Sequence, residues 1–208
     1  GSVRSNIDRI DYSNDTPTAS PKGPLNSGVW SGGGSGNTSY GYCMGGNTTA
    51  GDPSNISTIQ RLDFASDTST ASNRSNLTQT RNAVSAMSSR ESNHETTQSS
   101  TTSQSLVPAT RTETGTPSPA GTDFGYISAG MVPSAISSID RIDINNDTAT
   151  ALVKGQLNLA KWGHGGTSSL THGYQSGGGV LSGGPYVSSV DKIDYANDTA
   201  TAAPVGPL

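Results

Sequence analysis

Apolar and polar residues alternate most cleanly in one short phrase, and that phrase is written four times. The first copy is Ile7-Asp8-Arg9-Ile10-Asp11-Tyr12, followed by Asn14-Asp15-Thr16. The second is Ile59-Gln60-Arg61-Leu62-Asp63-Phe64 with Asp67-Thr68, and the third is Ile139-Asp140-Arg141-Ile142-Asp143-Ile144 with Asn146-Asp147-Thr148. The last is Val190-Asp191-Lys192-Ile193-Asp194-Tyr195 with Asn197-Asp198-Thr199. Ile10 and Tyr12 share one face, as do Leu62 and Phe64, Ile142 and Ile144, and Ile193 and Tyr195. Arg9 and Asp11, with their equivalents, take the other face beside Ile7, Ile59, Ile139 or Val190. A period of two predicts a strand, and the Asn/Asp-rich stretch after it predicts a turn.

Equivalent leucines close the copies. Leu25, Leu77, Leu157 and Leu208 are separated by 52, 80 and 51 residues. The middle interval carries 28 extra residues, which fall in the Ser/Thr/Pro tract of 93–121 and predict an inserted surface loop. The array spans 1–208, with units of approximately 1–40, 41–92, 122–172 and 173–208. A fixed period of this size marks modules that bury apolar surface only against their neighbours.

Each unit predicts four short strands. The first is the Gly-Tyr-x-x-Gly-Gly element at 41–46, 125–130 (with Ala129 in place of one glycine) and 173–178. The second is the alternating phrase, and the third follows the turn, with Thr148-Ala149-Thr150-Ala151-Leu152-Val153 as the clearest case. The fourth is the variable Val29-Trp30-Ser31-Gly32-Gly33, Arg81-Asn82-Ala83-Val84-Ser85-Ala86 or Lys161-Trp162-Gly163-His164-Gly165, in which Trp30 and Trp162 match. No window has helical periodicity. The predicted fold class is all-β, built of four-stranded antiparallel blades in a propeller or propeller-like array. By this phase there are two complete units and two incomplete ones. Because strands two and three occur at both ends, the array is not expected to close on itself. Either the chain is a piece of a longer protein, or further copies of the chain or neighbouring subunits, the expected partners, complete the array.

Composition sharpens the picture in places. Only 30% of residues are hydrophobic and 5% aromatic, so large cores are excluded and small, turn-rich modules fit. The net charge of −4 without a basic block argues against nucleic acid as a partner. No stretch reaches the roughly 20 apolar residues of a membrane helix, so membrane insertion is not expected. Cys43 is a lone cysteine in apolar surroundings and reads as a small buried hydrophobe.

Catalytic, cofactor and metal sites are not predicted. The Arg9/Asp11, Arg61/Asp63, Arg141/Asp143 and Lys192/Asp194 pairs predict an inter-strand or inter-blade ion ladder rather than a ligand rim. Asp15, Asp67, Asp147 and Asp198 recur, but Asn-Asp-Thr offers too few oxygens for calcium and reads as a turn. His94, His164 and His172 lack metal-ligand spacing. Glycine runs at 32–34 and 177–179 precede no helix and do not predict a phosphate loop. No Ser-His-Asp set has the context of a nucleophile. Asn-x-Ser/Thr recurs at Asn14, Asn37, Asn47, Asn55, Asn76, Asn146 and Asn197, which the composition produces by itself.

Gly-Tyr-x-x-Gly-Gly, a strand ending in Asp-aromatic, a polar turn and Leu-x-x-x-Arg together resemble the kelch motif. The resemblance implies four-stranded propeller blades and covers all but the insertion. It departs in lacking the usual Trp after the turn and in keeping the fourth-strand Arg only at Arg81. The copper-oxidase activity of some kelch-like propellers is not implied, because Cys43 lies in the diglycine strand. The wording Ile-Asp-Arg-Ile-Asp-Tyr-Ser-Asn-Asp-Thr, with Gly-Pro-Leu, also resembles repeats of structural proteins from marine tailed phages. This second resemblance implies a non-enzymatic virion protein (fibre, tail appendage or capsid decoration) that binds sibling subunits and host-surface glycans. The alternative is a secreted or surface-attached carbohydrate-binding propeller of a bacterium.

Overall fold

Hydrogen bonding sorts the strands into four antiparallel sheets set one after another along the chain. The computed structural model describes residues 3–14, 16–48, 54–89, 123–181 and 184–208. The 93–121 tract, His94 and Asp15 lie outside the described residues. The first sheet is a two-stranded hairpin, β1 (Asp8–Arg9) with β2 (Ser20–Pro21). The second runs β3 (Gly33–Gly36), β4 (Tyr40–Met44), β5 (Thr58–Asp63) and β6 (Ser72–Asn76). The third runs β7 (Ser85–Ser88), β8 (Phe124–Ser128), β10 (Ser134–Asp143) and β11 (Leu152–Lys161), with the short β9 (Met131–Val132) beside β10. The fourth runs β12 (Gly165–Ser168), β13 (His172–Ser176), β14 (Ser189–Asp194) and β15 (Ala203–Pro207).

The fold is all-β, a propeller-like array of four-stranded blades, as the alternation predicts. The phase of the blades differs from the sequence reading in one respect. The segment read as a fourth strand begins several residues later, at Gly33, Ser85 or Gly165, and pairs forward with the Gly-Tyr strand of the next hairpin. It is therefore the first strand of the following sheet. The reason lies in the residues before it. Trp30, Asn82 and Trp162 each make a single bridge to a partner just past the diglycine position, and the chain then turns into its new sheet. By this pairing, three sheets of four or more strands are present among the described residues, where the sequence phase counts two complete units. The third predicted strand also begins later: Thr148 to Ala151 belong to the turn, where Ala149 donates to the Asn146 carbonyl at 3.1 Å, and β11 starts at Leu152.

Strands β3, β7 and β12 lie side by side, which puts the first strand of each blade on the inside of the arc. The apolar cores sit between sheets. Tyr42, Met44, Ile59 and Leu77 of the second blade pack on Ile127, Ile142, Ile144 and Ala151 of the third. Met87, Tyr126, Ile139 and Leu157 of the third pack on Ile193 and Ala202 of the fourth. The Gly-Tyr and central strands share this task because a strand shows alternate residues to opposite faces. Ile59 and Arg61 face forward to the next sheet, whereas Gln60 faces back.

Two details explain sequence features that recur. The diglycine positions carry positive φ in succession: 63° and 95° at Gly45 and Gly46, 54° and 108° at Ala129 and Gly130, and 67° and 102° at Gly177 and Gly178. The first value lies in the left-handed well that alanine can enter at a cost, and the second suits glycine alone, so only the first glycine is replaced. The central strands end where Asp63, Asp143 and Asp194 accept from the amides of Ala65, Asn145 and Ala196, capping a short 3-10 turn.

Candidate functional site: the inter-blade clasps and an open cleft

The charged residues of the repeat converge between blades. Asp147, in the turn of the third blade, accepts from three donors of the second. They are Tyr42 Oη at 2.8 Å, Arg61 Nη1 at 2.8 Å and Arg74 Nε at 2.8 Å. Asp198 repeats the arrangement one blade on, with Tyr126 Oη at 3.0 Å, Arg141 Nη1 at 2.7 Å and the Lys154 ammonium at 3.5 Å. Asp67 has Arg9 at 2.7 Å and Lys22 at 3.4 Å. The turn aspartates therefore act as the acceptors of a clasp that ties each blade to its predecessor.

Local structure aims each donor. A register shift between the central and outer strands leaves Arg74 and Lys154 unpaired in a bulge, which turns them toward the next sheet. The Arg61 and Arg141 guanidiniums also lie over the Tyr40 and Phe124 rings, 4.3 and 3.9 Å from the centroids. Outer-strand glycines let the next turn approach: Gly23 and Gly155 donate to the Asp67 and Asp198 carbonyls at 2.8 and 2.7 Å. A Cβ on Gly155 would collide with the Ala200 carbonyl.

Burial opposes the charge on Asp147, but hydrogen bonds from Arg74 and Tyr42 and the nearby Arg61 outweigh it and hold the carboxyl below its ordinary pKa. Burial, followed by the Asp147 hydrogen bond, raises the Tyr42 phenol, so it remains a donor. Tyr126 is raised by burial and by Asp198.

A second, deeper layer of the same interfaces holds wholly buried ion pairs. Arg81 lies 3.0 Å from Asp140, and Lys161 lies 3.0 Å from Asp191, all four side chains being 0% exposed. Thr78 supports Asp140 from its amide and hydroxyl, each at 2.8 Å. Arg81 donates to the Ser138 carbonyl at 3.2 Å, and Lys161 donates to that of Gln175 at 3.3 Å. The contacts from Arg81 Nη2 and to the Asp191 carboxylate are close but poorly aligned for hydrogen bonds, so these pairs rest on charge proximity. At the remaining interface the cation position is Val29 and the acid position is Gln60. Gln60 accepts from the Ser27 amide at 2.9 Å and donates to the Ser27 carbonyl at 3.2 Å. Charge appears on both sides of an interface or on neither.

The expected ion ladder is thus present between blades, but with different partners. Arg9, Arg61 and Arg141 reach the turn aspartate of the next blade, and the aspartate two residues on caps its own turn. Lys22, Arg74 and Lys154 each stand three residues before the repeat leucine, and that constant phase is the signal for the clasp. His164 and His172 do not share a partner: His164 Nε2 lies 3.3 Å from Ser128 Oγ, and His172 Nδ1 lies 2.8 Å from Thr171 Oγ1. No cluster of three metal-ligating side chains occurs among the described residues. Cys43 is half-buried in β4, and burial raises its thiol pKa. No described helix is long and apolar enough to cross a membrane.

A cleft of about 1320 Å³ opens beside the first sheet. Tyr12, Lys22, Phe64 and Asp67 line it, together with Arg9 and the inner-strand segments 34–37, 86–88 and 166–168. Comparison with known proteins adds no assignment: no protein-family model matches the chain, and no curated protein matches it.

Two outcomes test this account. Asp140→Gln alone strands the Arg81 charge and is expected to cost about 3–5 kcal/mol in urea unfolding. The double change Arg81→Val/Asp140→Gln imports the Val29/Gln60 solution and should recover more than half of that loss. Strict additivity of the two single changes would contradict the charge rule. The second outcome concerns His164, which burial and then Lys161 hold at a pKa of about 4, below its ordinary 6.5. Between these values the unfolded chain takes up a proton that the native histidine refuses. Stability is therefore complete above pH 6.5 and falls as pH drops towards 4, by on the order of 3 kcal/mol. His164→Asn should flatten this part of the stability–pH curve.

Proposed function

We propose that the chain is a non-enzymatic structural protein of a tailed-phage virion, serving in a fibre, tail appendage or capsid decoration. The observation that carries this reading is the serial clasp: one set of side chains, Tyr-Arg-Arg/Lys on one blade and Asp on the next, repeated at successive interfaces. A module whose faces are built to join its siblings suits assembly, and its loops can vary without disturbing the joints. The wording of the repeat supports the same reading. Its partners are sibling subunits and, through the loops, host-surface glycans.

A second reading, a secreted or cell-surface adhesive propeller of a bacterium, draws on one specific feature. Tyr186 is 70% exposed and stands 6.3 Å from the Trp162 ring on the loops of the fourth blade, a surface suited to stacking on sugar. Peptide mass spectrometry of purified virions distinguishes the two. Peptides such as 62–74 are expected at structural-protein abundance, and their reproducible absence overturns the virion reading. Glycan-array binding lost in Tyr186→Ala, together with that absence, favours the adhesin.

A further inference from the structure

The second residue after each of the bridges made by Trp30, Asn82 and Trp162 enters a joint at the same place. Gly32, Val84 and His164 occupy it, each against the second glycine of its own blade's turn, Gly46, Gly130 or Gly178. Val84 packs on the apolar core between the second and third blades. His164 instead meets the third blade through a polar contact, Nε2 to Ser128 Oγ at 3.3 Å, and is 7% exposed. Its Nδ1 is buried without a hydrogen-bond partner.

The surroundings of the ring suit its neutral form. Burial, followed by the charge of Lys161, holds its pKa at about 4. Strand β14 brings Asp191, which is 3.0 Å from Lys161 and fully buried with it. Strand β13 brings the uncharged Gln175, also fully buried, and its own histidine, His172, stands at the far end beside Thr171. On the β8 side Ser128 adjoins Ala129, whose carbonyl is 3.5 Å from Arg81 Nη1, and Arg81 is paired with Asp140 at 3.0 Å. Strands β7 and β12 carry no charged residue. The charges therefore cancel in pairs, and a proton on His164 would add an unmatched one to a desolvated joint.

We propose that the joint between the third and fourth blades is an acid-operated hinge, which opens when His164 takes up a proton while the joint between the second and third blades stays closed. In the open state water receives both ring N–H groups. The fourth blade buries Ile193 and Ala202 against the third, so it loses its protection when the two part. The second blade keeps its core, because Val84 at the matching place has nothing to ionise.

Amide hydrogen exchange of the full chain at pH 6.5 and pH 4.5, corrected for intrinsic rates, reads the two joints separately. Opening of β13 and β14 is expected to rise about fortyfold over that interval, the gain for a group held near 4 when native and released to 6.5, while β4 and β5 change by less than about twofold. His164→Val, which installs the residue of the other joint, should abolish the rise. His164→Asn, which keeps a polar group facing Ser128, should do the same, so the result does not hang on one variant. NMR of the unaltered chain adds a reading free of substitution: the His164 ring should stay neutral down to about pH 4. Equal acceleration in the second and fourth blades, a rise that survives both substitutions, or a ring that titrates at its ordinary value would each overturn the proposal.

Discussion

Each blade has too few apolar side chains to make an interior of its own, and everything else in the structure follows from that limit. Ile59, Met44 and Ile139 are fully or almost fully buried, yet what buries them is the neighbouring sheet. Apolar contact of this size is modest, because most of the chain is Ser, Thr, Gly, Asn and Asp. Polar groups must therefore enter the interface, and each one that enters needs a partner. The clasps and the buried pairs meet that requirement.

The two polar layers act differently. The outer clasp is partly solvated, with Arg61 21% and Arg141 20% exposed, and Asp147 and Asp198 each gather three donors from three strands. Its value is geometric: it fixes the register and rotation of one blade on the next. The deeper pairs, Arg81–Asp140 and Lys161–Asp191, lie in a fully desolvated place where a lone charge would be costly. Charge there must be matched across the joint. The Val29/Gln60 interface shows that an uncharged solution is also compatible with the fold. We read the charged version as a device for specificity, because it disfavours the joining of mismatched blades.

Much of this was legible in the sequence. Period-two alternation in the Ile-x-Arg-Ile-Asp phrase gave the central strands, and the diglycine gave the preceding one. The Asn/Asp stretch gave the turn, and the leucine spacing gave the array. What alternation does not encode is which neighbour a strand chooses. The variable segment after each leucine could pair backwards or forwards, and the choice is made by the single bridges of Trp30, Asn82 and Trp162 together with the short hairpin that follows. The clasp was half-legible. Arg61 and Asp147 were recognisable as recurrent charges, but pairing each arginine with the aspartate two residues away missed that strand geometry sends the two to different tasks. Arg74 and Lys154 were overlooked because a bulge, which no local pattern reveals, is what brings them to the interface.

The most direct test of the central claim is native-state hydrogen exchange on the variant Asp147→Ala. Asp147 belongs to the third blade, but its three donors belong to the second. If blades are stabilised by their joints, exchange should accelerate in β4, β5 and β6 of the second blade as much as in β10 and β11 of the third. Acceleration confined to the third blade, with the second unchanged, would show that each sheet stands by itself and would contradict the account.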